Sequence, residues 1–534
     1  MISNTEYYYL KEDVYFEPLV NKWYAWPHLI SPVTQVLHMI KNHRRIMSSF
    51  TKNAKLHALA IAQPNMAGGE FVDCSEEKVG DIEKLVRYID EELGSSHELL
   101  DALSSLEALL KSHTSGESIE YIYQKIGKPL AGFVEIVMDM SHNPSFRLIE
   151  PLLYRSKYYR EELQEVMFGL VDERNERPFA FSTPRLPEKD TIQRQISFKD
   201  LALNDIFQAR TKPILGKVIN DFFAVESCEG ELSTEMLFTN VAPLKRHEKV
   251  QDKVKLTYLG HAGFMVETDN TCILVDPVIA SRVPTRMDDF VSYSELPEKI
   301  DYILITHTHS DHTHIETLLQ LRHKTNKVLV PKNNSGFIAD PSIKLMLDML
   351  GFSVMEFDDM ERIELDLGYL MAIPFLGEHG DLNIRSKTAW LVNLKGKTIY
   401  FGADSSNLEP RMYEHIKKDI GDIDIMAIGM ECVGAPYTWV YGALCNEPPP
   451  KNIKDSRRLN GSGFEQAYGI ASIFEPKEIF IYALGLEPWY KYFMGIVYNE
   501  DSEQIIQSNM MIEKCKNDDI PVEKMYGKYV TYLE

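Results

Sequence analysis

The chain has 534 residues, of which 44% are hydrophobic and 25% are charged, a composition typical of globular proteins. Its formal net charge of −22 argues against a nucleic-acid partner, because binding to phosphates needs a positive surface. No run of about eighteen apolar residues and no signal-like start is present, so we expect neither a membrane span nor secretion. Six scattered cysteines without a CxxC pair predict reduced thiols and a cytoplasmic protein.

The length favours two domains, and residues 1–245 are predicted to form a mixed α+β N-terminal domain. Aromatic, alternating residues predict strands within 7–19, and apolar periodicity predicts helices at 81–93, 97–113 and 159–170. Three histidines are too isolated to be read as metal ligands, namely His38, His43 and His57. A domain without its own chemistry indicates dimerisation or docking, and the polar stretch 240–253 is the predicted linker.

Strands and helices alternate in residues 250–534. Short apolar runs predict strands at 254–259, 264–266, 272–275, 327–330, 353–357, 369–375, 388–394, 398–401, 424–428 and 479–483. Helical periodicity is found at 315–322, 341–350, 410–418 and 463–474. This order suits an α/β (α+β) architecture of two packed sheets with helices outside, an αβ/βα sandwich.

The most informative segment lies between Asp301 and Gln320. An apolar run leads to a turn, a helix-like stretch follows, and the turn holds His307, His309, Asp311 and His312. Imidazole and carboxylate groups bind transition metals. Residues two apart on an extended segment point the same way, so the first two histidines can bind one ion and the next two residues can reach a second. The motif and its strand–turn–helix context resemble the two-metal signature of the metallo-β-lactamase superfamily.

Two further ligands are predicted downstream. Asp404 follows an apolar strand end and is placed to bridge the two ions. One of the adjacent residues Glu378 and His379 must supply the other ligand, since neighbours on a strand point to opposite faces. The late strand at 479–483 ends without the histidine that zinc hydrolases of this superfamily carry there, and no histidine follows His415.

The missing histidine changes the expected metal. A site rich in carboxylates favours iron over zinc, because oxidised iron prefers oxygen ligands, although zinc and manganese stay compatible. An open coordination position is also what dioxygen needs.

Four segments and the missing histidine together point to a family. The segments are Leu19–Pro32, THTHSDHTH at 306–314, GEHG at 377–380 and GAD at 402–404. In these features nearly the whole chain resembles the di-iron β-hydroxylases of nonribosomal peptide synthesis, which have the metallo-β-lactamase fold. The motifs other than THTHSDHTH separate this family from the zinc hydrolases, which share that block.

The resemblance implies that Glu378, rather than His379, is the ligand. It implies one iron held by His307, His309, Glu378 and Asp404, and a second held by Asp311, His312 and the bridging Asp404. It further implies a monooxygenase of antibiotic biosynthesis that replaces Cβ–H with Cβ–OH in an amino acid tethered as a thioester to a peptidyl carrier domain. On the same resemblance we expect two iron ions as the cofactor, dioxygen as the co-substrate, a donor protein that supplies two electrons, and an N-terminal domain that pairs two protomers as a homodimer.

Two glutamates are predicted to act in catalysis. Glu378 is the candidate for a carboxylate that shifts between one and two bound oxygens. Glu431, straight after the strand 424–428, could meet the substrate amine or an iron; a structural role at the strand end is the alternative. Glu487 is a weaker candidate, and His261 is predicted to support a ligand.

Other readings make different predictions. A dinuclear zinc hydrolase of the phosphodiesterase or lactonase type would be colourless and active without oxygen, and an inactive scaffold would hold little metal. The irregular stretch 439–463 is expected to shape the substrate pocket, or else to be a surface excursion. Within it, Arg457 and Arg458 are candidates for a positive patch that meets the carrier domain.

Overall fold

The computed structural model describes residues 2–63, 66, 68–172, 177–225, 228–244, 246–281 and 290–534. Two seven-stranded sheets form the carboxyl-terminal half. The first sheet has the order Val354–Phe357, Thr325–Pro331, Ile300–Leu304, Cys272–Val275, Gly263–Glu267, Val254–Gly260 and Tyr529–Leu533. Its strands from residue 272 to residue 357 run parallel, and the remaining pairs are antiparallel.

The second sheet repeats this mixed pattern. Its order is Arg362–Leu365, Gly368–Ile373, Ala389–Leu394, Lys397–Phe401, Ile425–Gly429, Glu478–Tyr482 and Val522–Lys524. The first four strands form an antiparallel meander, and the last four, from Lys397–Phe401 onward, run parallel. Parallel strands buried on both faces read as continuous apolar runs, as Ile425–Gly429 does.

The two sheets share one apolar core, to which both contribute fully buried side chains such as Phe264 and Trp390. Helices cover the outer faces: Ile315–Leu321 and Ile343–Met349 lie over the first sheet, and Pro410–Ile420, Phe464–Phe474 and Glu503–Asn517 over the second. The predicted αβ/βα sandwich is therefore confirmed.

The amino-terminal part is mixed α+β, as expected. A five-stranded antiparallel sheet has the order Trp23–Tyr24, Val14–Val20, Gln164–Leu170, Thr191–Gln195 and Cys228–Gly230. The main helices of the amino-terminal part are Pro27–Ile30, Pro32–Leu37, Arg44–Lys52, Ala54–Ile61, Val79–Glu92, Gly94–Ser112, Ala202–Gln208 and Gly216–Phe223. The helix predicted over 159–170 is wrong. Residues 164–170 instead form a central strand, because pairing with strands on both sides outweighs the local periodicity.

The amino-terminal part packs directly on the helices of the first sheet. One continuous core contains Phe16 and Phe207 from the amino-terminal part and Leu318 from the helix that follows the metal-binding motif. Buried charges accompany this core: Arg185 pairs with Glu17, and Arg177 stands between Glu17 and Glu316. The predicted linker includes residue 245, which lies outside the described residues, so the domain boundary stays a prediction. Within the described part of the chain, no helix is long and apolar enough to cross a membrane.

Candidate metal centre

The metal-binding motif lies at the carboxyl edge of the first sheet. Strands Cys272–Val275 and Ile300–Leu304 are parallel neighbours, so the residues that follow them emerge at the same edge. Asp276 follows the first strand. The second strand leads into the turn that carries the motif, and a helix begins at Ile315. Local sequence therefore brings a buried carboxylate beside the histidine turn.

The second sheet supplies the remaining carboxylates from the loops after two of its strands. Glu378 lies between Gly368–Ile373 and Ala389–Leu394, and Asp404 follows Lys397–Phe401. Backbone with positive φ occurs here, at Glu378 (76°) and Ala403 (49°). Such strained positions are typical of functional sites and cost on the order of 1–3 kcal/mol each.

The first ligand group consists of His307, His309 and Glu378, whose ligand atoms all lie within 4.8 Å of one another. His309 Nδ1 contacts Glu378 Oε1, and His307 Nε2 is 3.7 Å from the same oxygen. His379 is 1% exposed, and its Nε2 lies 2.9 Å from the other oxygen of Glu378. Of the two alternatives at 378 and 379, only Glu378 belongs to a ligand group.

The second group consists of His307, His312 and Asp404. His312 Nε2 is 3.3 Å from Asp404 Oδ2, and His307 Nε2 is 3.9 Å from it. Because His307 belongs to both groups, Asp404 also lies beside the first group. Asp311 joins from the other side, with its Oδ2 3.7 Å from His312 Nε2. The same Asp311 oxygen is 3.1 Å from His261 Nε2, so His261 lies beside a candidate ligand, as predicted. His261 also forms a possible metal-binding group of its own with Asp311 and His312.

Hydrogen bonds behind the histidines determine which nitrogen faces the centre. His312 Nδ1 is 2.7 Å from Asp276 Oδ2, and the Thr306 hydroxyl donates to the same carboxylate oxygen over 2.5 Å. His307 Nδ1 lies 2.9 Å from that hydroxyl. With their Nδ1 atoms bonded to these oxygens, both histidines direct Nε2, the atom that can bind a metal ion, at the centre.

The residues fit two metal ions. His307 Nε2, His312 Nε2, Glu378 Oε2 and Asp404 Oδ1 are buried and make no hydrogen bond within the described part of the chain. Leaving such groups unsatisfied costs about 1–3 kcal/mol each, so a cation is their natural partner. The donor set mixes imidazole nitrogens with three carboxylates, as expected for iron.

A metal ion must displace protons from two of the histidines. Although burial lowers it, the carboxylates of Asp404 and Asp311 hold the pKa of His312 well above its usual value, and Glu378 raises that of His309. Burial lowers the pKa of His307 well below its usual value, so the ring is neutral and can donate a lone pair. Burial favours the neutral form of Glu378, but His309, His379 and His307 outweigh it and hold the pKa of this carboxyl well below its usual range. Burial also lowers the pKa of His379 to about 4.

The place of the missing histidine is open. The late strand ends at Tyr482, and Ala483 lines a cavity of about 180 Å³ that reaches the ligands His309, Asp311, Glu378 and Asp404. Tyr482 has a structural role instead: the Ala403 N–H donates to its hydroxyl over 3.0 Å and so fixes the turn before Asp404. The predicted gap in the ligand set therefore faces an accessible space.

Both halves of the chain line this cavity. From the carboxyl-terminal half come Trp439, Val440, Leu459 and Phe493, so the stretch 439–463 shapes the pocket as expected. From the amino-terminal half come Trp26, His38, Asn42, His43, Phe179 and Phe181. His38 and His43 begin and end a π-helix, Trp26 stacks on His28, and Trp23 stacks on His43. The amino-terminal part thus forms one wall of the site, which its isolated histidines did not reveal.

The other candidate residues fall into two classes. Glu431 lines the cavity, but it also accepts hydrogen bonds from Tyr498, Gln504 and the Gly434 N–H, and burial raises its pKa. Glu487 is outside the site: it accepts from the His261 N–H over 2.9 Å and from the Tyr258 hydroxyl over 2.6 Å, so it anchors the His261 turn.

The predicted arginine patch has a different role. Arg457 Nε donates to the Gly380 carbonyl over 2.6 Å, and its guanidinium covers the ring of Tyr437 at 4.4 Å. Arg458 Nε donates to the Val433 carbonyl over 2.8 Å. These bonds tie down the loops that carry Glu378 and Glu431, so the two side chains are only partly available to a partner.

Comparisons with known proteins agree with this centre. The family model of the di-iron non-heme β-hydroxylase N-terminal domain matches residues 9–241, and that of the β-lactamase superfamily domain matches residues 271–436. The 4-amino-L-phenylalanyl-[CmlP-peptidyl-carrier-protein] 3-hydroxylase of Streptomyces venezuelae is 35% identical over 97% of this chain and 98% of its own length. A metal-dependent hydrolase of Pyrococcus furiosus is 27% identical over only 28% of this chain and 62% of its own length.

A solved structure extends the match to three dimensions. The crystal structure of CmlA, a di-iron β-hydroxylase from Streptomyces venezuelae, aligns with a TM-score of 0.92 at 34% identity and covers 99% of this chain and 100% of its own. The similarity thus includes the amino-terminal wall as well as the metallo-β-lactamase fold. The chain is an enzyme that belongs to the family of di-iron non-haem β-hydroxylases.

Proposed function

We propose that this enzyme hydroxylates the β-carbon of an amino acid held as a thioester on a peptidyl carrier domain of a nonribosomal peptide synthetase. The Cβ–H bond is replaced by Cβ–OH with one oxygen atom of dioxygen. The second oxygen atom leaves as water, which takes two electrons from an external donor and two protons. The Streptomyces venezuelae relative, whose name states a carrier-bound aminoacyl substrate, supports this substrate class.

The observation that carries the proposal is the ligand set with its open side. Three histidines and three carboxylates can hold two ions, namely His307, His309, Asp311, His312, Glu378 and Asp404. The late strand ends without the histidine expected in a zinc hydrolase, and Ala483, the residue after that strand, lines the cavity. Two iron ions held there supply oxygen activation, and a cavity that ends on them can admit a tethered side chain.

The residues around the ions have separable roles. Asp276 and Thr306 orient the histidines, and the aromatic walls exclude water from the reacting carbon. Glu378 directs Oε1 at the first group, and its Oε2 makes no hydrogen bond within the described part of the chain, as a shifting carboxylate requires. Glu431 lines the cavity, and hydrogen bonds from Tyr498 and Gln504 hold its carboxylate in position. We assign it to contact with the substrate amine.

The aromatic lining of the cavity favours an aromatic side chain as the substrate. Its walls include five aromatic rings besides the histidines, namely Trp26, Phe179, Phe181, Trp439 and Phe493. Trp439 is 41% exposed, so it marks the mouth through which the carrier arm enters. The relative that acts on a 4-amino-L-phenylalanyl substrate is consistent with this assignment.

The remaining parts of the proposal concern partners and location. A peptidyl carrier domain and an electron-donor protein are the partners, two protomers pair through the amino-terminal part, and the product enters antibiotic biosynthesis. The cytoplasm, where such synthetases and reductants are found, is the proposed location; all six cysteines are free, as a reducing compartment allows. Size-exclusion chromatography with light scattering tests the dimer.

The function is tested by adding dioxygen to reduced enzyme with aminoacyl-loaded carrier domain and measuring the carrier-bound product by mass spectrometry. We expect a gain of one oxygen atom that depends on both dioxygen and reductant, with phenylalanyl carriers turning over faster than alanyl carriers. Glu378→Ala should abolish the gain, whereas Glu487→Gln, outside the cavity, should retain it if the variant folds. Anaerobic release of the amino acid from the carrier would instead show a hydrolase.

A further inference from the structure

A basic stretch of the chain lies next to the cavity in an otherwise acidic protein. Residues 18–69 contain six Lys or Arg residues and no Asp or Glu, whereas the whole chain has a net charge of −22. The same stretch supplies cavity-lining residues, among them Trp26, Asn42 and Gly69. Because like charges repel, an anionic partner is steered to this stretch and away from the rest of the surface.

The helix Ala54–Ile61 presents an exposed part of this stretch. Leu56 and Leu59 on it are 54% and 66% exposed, and the neighbouring Lys52 and Lys55 are exposed as well. Residues three apart are neighbours on a helix, so the two leucines form one apolar contact area. We call these four residues the leucine–lysine surface. An apolar centre with charges beside it is the usual composition of a surface that binds a protein.

His57 fastens this helix to the entrance of the cavity. The ring is buried, its Nδ1 accepts a hydrogen bond from the Val72 N–H over 2.9 Å, and its Nε2 lies 3.1 Å from Ser49 Oγ. Gly69 and Glu70, just before Val72, line the cavity, and Glu70 is also exposed. The leucine–lysine surface therefore lies beside the point where the cavity opens to solvent.

Arg45 adds a guanidinium at this entrance. Its Nη2 is 2.9 Å from Asn42 Oδ1 and 2.5 Å from Glu70 Oε2, and both partners line the cavity. The Arg45 side chain is 55% exposed, and an exposed ion pair of this kind is weak. The guanidinium can therefore turn from Glu70 to a phosphate group, which arginine binds through two parallel hydrogen bonds.

A carrier domain matches these features in charge and in position. The phosphopantetheine arm is joined to its carrier through a phosphate diester, so the arm enters the cavity with negative charge at its outer end. We propose that the peptidyl carrier domain docks on the leucine–lysine surface and passes its arm by Arg45 into the cavity, a placement that rests on the carrier-bound substrate of the proposed function. The leucines supply the apolar contact, and Arg45, Lys52 and Lys55 orient the carrier.

The test measures binding of a phenylalanyl-loaded peptidyl carrier domain to the full-length, iron-loaded enzyme by titration calorimetry, without reductant so that no turnover occurs. Leu56→Gln with Leu59→Gln removes the apolar area, and glutamine preserves the helix because its helix propensity is close to that of leucine. Leu201→Gln, at a leucine that is 71% exposed beside the helix Ala202–Gln208, is the control. We expect the Kd to rise about 10-fold or more in the double variant and to stay unchanged in the control.

A second pair of variants tests the charges. Lys52→Glu with Lys55→Glu reverses two charges of the surface, and Lys418→Glu with Lys516→Glu makes the same change in net charge on the outer helices of the second sheet. We expect the first variant to bind about 10-fold more weakly at low salt and to lose most of the salt dependence that wild type shows. The variant at Lys418 and Lys516 should bind the carrier as wild type does.

Equal affinities in the surface variants and their controls would overturn the proposal. Loss of a wild-type dimer in Leu56→Gln with Leu59→Gln, measured by light scattering, would also overturn it, because the surface would then join two copies of this chain. Iron content and melting temperature should match wild type in every variant, since substitutions of exposed side chains leave stability nearly unchanged.

These outcomes are distinguishable from failure of the proposed function. Binding is measured without turnover, so an enzyme that binds the carrier through this surface but adds no oxygen after reduction would reject the hydroxylase reaction and keep the docking surface. An enzyme that hydroxylates the carrier-bound substrate while both surface variants bind the carrier like wild type would reject the docking surface alone.

Discussion

The addition of a single methyl group at Gly429, as in Gly429→Ala, should remove a metal ion from the centre. Gly429 ends the strand Ile425–Gly429 beside the loop that carries Asp404. A Cβ at this position would lie 2.4 Å from Asp404 Oδ1 and 2.8 Å from the Ala403 carbonyl oxygen. Ordinary contact begins near 3.4 Å, so Gly429→Ala forces the carboxylate to move by on the order of 1 Å.

The expected magnitude follows from that displacement. Asp404 Oδ2 is 3.3 Å from His312 Nε2, so a shift of about 1 Å separates the second ligand group. A misplacement of this size typically costs about 100-fold in rate, and overpacking costs about 1–3 kcal/mol of stability. We therefore expect about one iron per chain instead of two, activity reduced by about 100-fold or more, and a lower melting temperature.

The assay is iron content by elemental analysis after desalting, together with thermal unfolding of the metal-free protein. Gly80→Ala is the control, because a Cβ there meets no atom within 4 Å and the residue lies inside the helix Val79–Glu92. Alanine is the better helix former, so this variant should keep both irons and unfold at the same or a higher temperature. Two tightly held irons in Gly429→Ala would refute the placement of Asp404 against this strand.

Three other changes test separate parts of the structure. Asp276→Asn removes an acceptor shared by His312 Nδ1 and Thr306, and should weaken metal binding about 10–100-fold in a chelator competition; unchanged affinity would show that orientation of His312 does not matter. Glu431→Gln should keep both metals while lowering kcat/KM for the carrier-bound substrate, whereas loss of a metal would make Glu431 a ligand. Burial raises the pKa of Glu150 from its usual 4.5 to about 7, so the folded state holds this proton more tightly than the unfolded state. The protonated Glu150 side chain therefore contributes to the free energy of unfolding in full below pH 4.5, and this contribution of up to about 3 kcal/mol is lost as pH rises through 7. Denaturant titrations of wild type and Glu150→Gln should give unfolding free energies that diverge across this pH range. Parallel pH dependences would contradict the assignment.

The carboxyl-terminal architecture could be predicted because its apolar runs are separated by residues that favour turns. Strands such as 398–401 and helices such as 410–418 were expected within about two residues of their positions, since buried parallel strands are continuous apolar runs. The strand Gln164–Leu170 was misread as helix because five of its seven residues are buried, on both of its faces. Burial on both faces removes the alternation that marks a strand, and only the pairing partners, distant in sequence, decide the outcome.

The six candidate metal ligands could be proposed from short motifs because each follows a strand end in a recognisable pattern. Asp276 could also have been found, since it follows an apolar strand within an Asp-Pro pair beside the histidine turn. The amino-terminal wall could not, because it includes a π-helix that only tertiary packing brings to the site. Arg457 looked like surface charge, yet its hydrogen bond to the Gly380 carbonyl is visible only in three dimensions.

The central claim is that oxygen-rich ligation with an open side holds two irons rather than two zincs. Mössbauer spectroscopy of native protein purified from cells grown on isotope-enriched iron tests it most directly, with zinc measured in the same sample. We predict two iron sites in equal amounts, perturbed when aminoacyl-loaded carrier domain is added, and negligible zinc. Two firmly bound zinc ions without iron, in protein that cleaves its substrate under anaerobic conditions, would contradict the account.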